Sequence, residues 1–336
     1  MSACLLSFNQ TQLDALLHPR PGETRLGETV GLLSSETSLE NAYQQGFKFV
    51  LVGIPEDIGP RANLGKGGAD KGWLAFLSYF LNLQSNTFLG GNDILLLGQI
   101  CCDDLDGENI ESLRLACEEL DQRVTEVLKQ CFAASLIPIV IGGGHNNALP
   151  IIKACQQIAQ HPLAVANLDP HADFRQPEGR HSGNPFRYAY DAGWLKRYTV
   201  LGLHEQKNSL SALNALRHAA FPFYSIQRWK WRQEIHLDEI LEKTAEYLTA
   251  ENLPVGLELD LDAIADMPSS AVTHCGVSST DALHYIDRLA SLDNVRYLHL
   301  AEGAPERHPA GMTAGNQIVG QMLTELVCTF IKARER

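Results

Sequence analysis

The 336-residue sequence has no run of 18 or more apolar residues, and its first thirty residues show no basic stretch followed by an apolar segment. Neither a membrane-spanning helix nor a secretory leader is expected, so the reading is a cytoplasmic protein. The eight cysteines (Cys4, Cys101, Cys102, Cys117, Cys131, Cys155, Cys275 and Cys328) are scattered, with no Cys-x-x-Cys pair, and read as free thiols filling a core. Positive charge is scarce. Against 40 acidic residues stand 27 basic ones, giving a net charge of -13, and the only basic cluster is the short segment 332–336. Nucleic acid and anionic membrane are therefore poor partners. There is also no repeat of fixed period, no low-complexity tract and no long Pro/Gly/Ser linker.

What is present is enough apolar sequence, 45% of the residues, for a sizeable core. Short runs rich in Val, Ile and Leu recur at 47–54, 93–100, 135–143, 163–169, 198–203, 254–262 and 295–302. Most are apolar on both faces, as strands buried between two helical layers must be. Amphipathic helical patterns separate them, clearest at 109–132, 147–160, 238–248, 280–292 and 315–332. This β-α alternation predicts an α/β fold with a mainly parallel sheet and helices on both faces. One catalytic domain over 46–336 is the simplest organisation, preceded by a polar lead-in over 1–45 that wraps the surface.

In open α/β sheets ligands bind beyond the carboxyl ends of the strands. The run 135–143 leads into Gly142, Gly143, Gly144 and His145, a tight exit that projects an imidazole over the sheet edge. Taken alone, that histidine reads more readily as an ordinary polar loop residue. The run 163–169 delivers Asp169, His171 and Asp173 in LDPHADF, and in extended chain this alternation puts three metal-capable groups on one side. The run 254–262 ends Glu258-Leu-Asp260-Leu-Asp262. Carboxylates crowded on one face of a buried strand raise one another's pKa unless a cation lies between them, whereas on an exposed edge they need none. Four Asp and two His form a hard, oxygen-rich donor set, suited to manganese or magnesium rather than structural zinc. Four carboxylates balance two divalent ions. At a separation of about 3.5 to 4 Å such ions would share a water and lower its pKa toward neutrality, and the expected chemistry is hydrolysis.

In this order and spacing GGGH, DPHAD and DLD resemble the ureohydrolase superfamily of arginase, agmatinase and formimidoylglutamase, from about Gly53 to the C-terminus. The resemblance implies an arginase-like three-layer α/β/α fold and two Mn2+ per subunit. One ion would be bound by His145, Asp169, Asp173 and Asp260, the other by Asp169, His171, Asp260 and Asp262. The runs GIPEDIGPRANLG (53–65), GRHSGNPF (179–186) and HLAEGAP (299–305) look most like the formimidoylglutamase branch. Its members cleave N-formimidoyl-L-glutamate to L-glutamate and formamide in histidine breakdown, by attack of a metal-bridging hydroxide. Asp173 would return the proton to the departing amine and Glu302 would meet the amidinium.

Arginases and agmatinases carry a His-Gly pair where this chain has Ser182-Gly183, which leaves His181 as the candidate proton carrier. The segment 263–276 also departs from the superfamily's Asp-Pro and Pro-Gly pattern. Two substrate carboxylates call for arginine forks, and Arg61, Arg175 and Arg187 are candidates, with Asn63 and Asn184 as polar contacts. Each is also readable as an ion pair or a turn cap. Three alternatives remain: a guanidino-compound ureohydrolase releasing urea, a one-metal deacetylase of related fold, and a non-catalytic metal-binding protein. Family members commonly form homo-oligomers, so a homo-oligomer acting on a small molecule is the expectation.

Overall fold

A computed structural model describes residues 4–34 and 37–336. Its single sheet contains β1 (Leu5–Ser7), β2 (Gly31–Leu32), β3 (Phe49–Gly53), β4 (Ile94–Ile100), β5 (Ile137–Ile141), β6 (Leu163–Leu168), β7 (Leu195–Leu203), β8 (Phe223–Ser225), β9 (Val255–Asp260) and β10 (Val295–Ala301). The spatial order is β1-β4-β3-β5-β10-β9-β6-β7-β8, with β2 beside β4. Every pairing is parallel except β1 with β4.

Period-two alternation divides the core between the two faces of the sheet. Phe49 and Leu51 of β3, and Ile139 and Ile141 of β5, pack on one side with Phe76, Leu241, Ile286 and Phe330 from the helices Gly72–Phe80, Leu237–Thr249, Ser279–Ala290 and Met312–Arg334. Val50, Val52 and Val140 face the other side with Leu120, Val124, Ile151 and Leu216 from the helices Ile110–Ala133, Ala148–Ala159 and Leu210–His218. Each such side chain contributes about 1.5–3 kcal/mol of burial, which only a sheet covered on both faces collects. The result is the expected three-layer α/β/α arrangement. The five predicted helices all form, with ends displaced by one to three residues. At 109–132 local chemistry sets the start: Asn109 Oδ1 accepts from Ser112 N at 3.0 Å while Ser112 Oγ accepts from Asn109 N at 3.1 Å, so Asn109 caps the helix.

The first 45 residues are more than a polar wrap. β1 pairs with the outer edge of β4, β2 pairs further along it, and Leu13, Leu26, Leu39 and Ala42 are buried. A segment that lends two strands to the sheet and side chains to its cores shields an edge that would otherwise present unpaired backbone groups. Strands of two or three residues are too short to show a period, which is why β1, β2 and β8 escape sequence reading.

Candidate metal centre

The strands β5, β10, β9 and β6 are neighbours at the middle of the sheet, and their carboxyl ends deliver every group of the site. Beyond β5, Gly142 and Gly143 take φ of +86° and +73°. A Cβ on Gly143 would lie 2.5 Å from Asn147 Nδ2 and 2.8 Å from Glu56 Oε1, so the turn admits only glycine there. Glu56, fully buried, organises this turn: it accepts from Gly144 N at 2.7 Å, Asn147 Nδ2 at 2.6 Å and Ile58 N at 2.6 Å. His145 is thereby held with its Nδ1 3.1 Å from Asp169 Oδ2, 3.0 Å from Asp173 Oδ2 and 3.4 Å from Asp260 Oδ2.

The Asp169, His171 and Asp173 trio converges, though not by strand alternation. β6 stops at Leu168, Asp169 Oδ1 accepts from His171 N at 2.7 Å, and Asp173 turns with φ +43°. Only Asp260 of the third pair lies in a strand. Asp262 sits in the 3-10 turn Leu261–Ala263 and donates its N–H to Asp260 Oδ1 at 2.7 Å. Glu302 follows β10 with φ +66°; its N–H donates to Gly143 O at 2.9 Å and its Oε1 accepts from His145 N at 2.7 Å.

Two donor sets result at the strand ends, His145 with Asp169, Asp173 and Asp260, and His171 with Asp260 and Asp262, and a third group, His145 with Glu258 and His299, also clusters; within each, the ligating atoms lie within 4.8 Å of one another. Among the described residues, the recorded ion pairs of these aspartates are all with histidine. The charge conflict is visible in the acidities. Burial, and then Asp262 and Asp169, push Asp260 well above the usual carboxylate range. Burial and then Asp169 raise Asp173 to about 6, while burial and then Asp262 raise Glu302 to about 8. Burial disfavours charge on His171, but Asp169, joined by Asp262 and Asp173, outweighs it and lifts the imidazole to about 9. Two divalent cations would remove this conflict, and the donors fit them: hard oxygens with two imidazoles and no thiolate.

A cleft of about 460 Å³ opens above these groups. Asp173, Asp260, Asp262 and Glu302 line it, with Asn63, Arg175, Ser182, Lys207 and Asn208. Arg175 is held by Asn63 Oδ1 at 2.7 Å and by Glu178.

Of the catalytic and substrate-binding candidates, four lie outside this lining. His181 is fully buried and turned away, its Nδ1 accepting from Gly183 N at 3.1 Å and its Nε2 facing Glu178 Oε1 at 3.2 Å. Burial, then Arg175, lowers it to about 4, which disfavours the charged imidazolium at this position. Arg61 is committed to Asp57 at 2.9 Å and Asp106 at 2.6 Å. Arg187 pairs with Asp191 at 2.8 Å and lies over the Phe174 ring. Asn184 is buried, accepting from Arg180 Nη1 at 2.8 Å and donating to Gly179 O at 2.9 Å, and holds the turn rather than a substrate. Conversely, sequence reading passes over Lys207 and Glu56. Applying the strand-end rule to β7 would have found Lys207, four residues past Leu203.

A model of the arginase family matches residues 47–325. The formimidoylglutamase of Chromobacterium violaceum is 29% identical over 269 residues, covering 76% of this chain and 80% of its own length. That of Aromatoleum aromaticum is 28% identical over 280 residues, 79% of each chain. Among solved structures, Bacillus subtilis formimidoylglutamase superposes with a TM-score of 0.76 at 16% identity, covering 95% of this chain and 94% of its own. A Trypanosoma cruzi formiminoglutamase with Mn2+ gives 0.70 at 22%, covering 92% and 98%. At these identities the structures speak for the fold, and the family match spans most of the sequence. The chain therefore belongs to the arginase family.

Proposed function

We propose that this chain is a binuclear manganese hydrolase that converts N-formimidoyl-L-glutamate and water to L-glutamate and formamide, a step of histidine breakdown. One observation carries the reading: the cleft is lined by carboxylates and by two cationic side chains. Asp260, Asp262 and Glu302 line it together with Arg175 and Lys207. A substrate with a cationic amidinium at one end and carboxylates at the other fits this mixture of charges. A guanidino compound with a cationic tail would meet Arg175 and Lys207 as repulsion. The formimidoylglutamases of Chromobacterium and Aromatoleum point to the same substrate.

His145, Asp169, Asp173 and Asp260 would hold one cation; His171, Asp260 and Asp262, together with Asp169, would hold the other. Bound there, the cations supply Lewis acidity and a water of lowered pKa. Glu302 would orient the amidinium by a charge-assisted contact, fixing its central carbon in the cleft. Asp173 would move a proton to the glutamate nitrogen as the C–N bond breaks. With His181 turned away, Asp173 is the remaining candidate for that transfer. Arg175 and Lys207 would grip the carboxylates, with Asn63 steadying Arg175. No helix among the described residues is long and apolar enough to cross a membrane. A cytoplasmic homo-oligomer remains our working expectation.

The manganese-loaded protein, given N-formimidoyl-L-glutamate, agmatine, arginine and guanidinobutyrate in parallel, should release glutamate and formamide from the first and no urea from the others. Urea from any guanidino compound would move the substrate assignment. In steady-state kinetics Lys207→Gln should raise KM for formimidoylglutamate by roughly 10- to 100-fold with kcat nearly unchanged, the loss of one charge-assisted hydrogen bond. An unchanged KM would remove Lys207 from the substrate contacts.

A further inference from the structure

Beneath the aspartate cluster lies a second buried group of polar residues that the reaction itself does not use. Glu258 of β9 stands in register with His299 of β10, and Tyr297 precedes His299 by two residues on the same face. All three are fully buried. Glu258 Oε1 accepts from Tyr297 Oη at 2.8 Å, and Oε2 lies 2.6 Å from His299 Nδ1. The approach of Tyr297 depends on Gly256, where a Cβ would stand 2.3 Å from the phenol oxygen. A carboxylate so deeply buried, held by two neighbours on one strand, is expensive unless it serves something.

What it faces is the far nitrogen of the first metal ligand. His145 Nε2 lies 3.4 Å from Glu258 Oε2 and has no hydrogen-bond partner, while His145 Nδ1 points at Asp169, Asp173 and Asp260. A neutral imidazole carries one proton on one of its two nitrogens. For Nδ1 to offer a lone pair to a cation among three aspartates, the proton must sit on Nε2, and a buried N–H needs an acceptor. Glu258 is the acceptor in place, and a shift of a few tenths of an ångström would bring it within bonding range.

We propose that Glu258 is the positioning residue of His145: its Oε2 takes the Nε2 proton, fixing the tautomer and ring angle that direct Nδ1 at a divalent cation, while Tyr297 and His299 hold the carboxylate. The dependence is selective. The cation held by His145 relies on Glu258, and the one held by His171 does not.

The test is Mn2+ titration of Glu258→Gln against the parent protein, with free and bound ion counted by electron paramagnetic resonance. Outer partners of metal-bound histidines are typically worth 10- to 100-fold in affinity. One of two Mn2+ should weaken by that factor while the other stays within about threefold, and the spin-coupled spectrum should give way to that of an isolated ion. A folded variant that binds both ions with parental affinity, or loses both equally, overturns the proposal. Should the variant fail to fold, the parent decides: loaded with diamagnetic Zn2+ and labelled with 15N-histidine, His145 should show its proton on Nε2 by long-range nitrogen–proton correlation. A proton on Nδ1 overturns it as well. Neither readout involves substrate, so the outcome is independent of the formimidoylglutamate assignment.

Discussion

Asp260→Asn should lower kcat by roughly 10³-fold or more while making the metal-free protein more stable. Asp260 belongs to both donor sets, and Asp169 would join it in serving both cations. A neutral amide in its place removes a charge from between two cations, and several kcal/mol of metal-derived stabilisation corresponds to about three decades in rate. Without metal the balance reverses. Burial, then Asp262 and Asp169, already push the Asp260 carboxyl well above its ordinary range, so asparagine imitates the form the bare site prefers. That relief would raise the melting temperature of the metal-free protein by a few degrees. Turnover assays with Mn2+, and thermal melts with and without chelator, check both halves. A variant within tenfold of parental activity would remove Asp260 from the role of shared ligand.

The second large effect is the pH dependence of the metal-free protein, which should lose stability as pH rises from about 5 to 8. The sign follows from the direction of the shifts. Asp173 is raised from 3.8 to about 6 and Glu302 from 4.5 to about 8, each first by burial and then by a neighbouring aspartate. Each therefore binds a proton more tightly folded than unfolded. The associated stability is intact below the unfolded pKa and is lost as pH climbs through the folded one. His171, raised to about 9, acts in the same direction at higher pH. Asp169 is lowered, by His145 and His171 against the cost of burial, and acts the opposite way, but only below about pH 4. Between pH 5 and 8 the loss should be on the order of a few kcal/mol, seen as a fall of roughly 10 °C in the melting temperature with chelator present. With Mn2+ the decline should vanish, because the cation takes the place of the protons. A chelated protein with a flat or rising profile across that range would contradict the crowding of carboxylates.

Much of this was legible in the sequence because strand ends and metal chemistry leave local marks. The seven longer strands announce themselves as apolar runs, and DPHAD and DLD place aspartates at their ends. The geometry behind the motif was not legible. Extended alternation suggests a flat row of ligands, whereas Asp173 reaches His145 through a left-handed turn. Substrate contacts were harder still, because an arginine in a promising loop is claimed by whichever acid the fold brings near. Arg187 has Asp191 four residues along its own helix, a pairing visible in sequence, but the 2.6 Å contact of Arg61 with Asp106 spans 45 residues. His181 shows the same limit: one position along the chain from Ser182 decides whether a side chain enters the cleft or the core. The Glu258–His299 pair joins two strands with nothing local to connect them.

β10 is the last strand in chain order, yet it lies between β5 and β9 at the centre of the sheet. Until Val295–Ala301 has left the ribosome, β5 and β9 each end in an open edge. His145 then belongs to one half of the sheet, and the aspartates of β6 and β9 to the other. We expect the protein to acquire its cations late, as a seal on a finished chain rather than a guide to its early folding. Nascent chains arrested before Val295 should not retain the ion that needs His145, and binding of both Mn2+ by such chains would disprove this order of assembly. Between the completion of β9 at Asp260 and the arrival of β10, the growing polypeptide carries two sticky half-sheets, the interval in which a chaperone has most to protect.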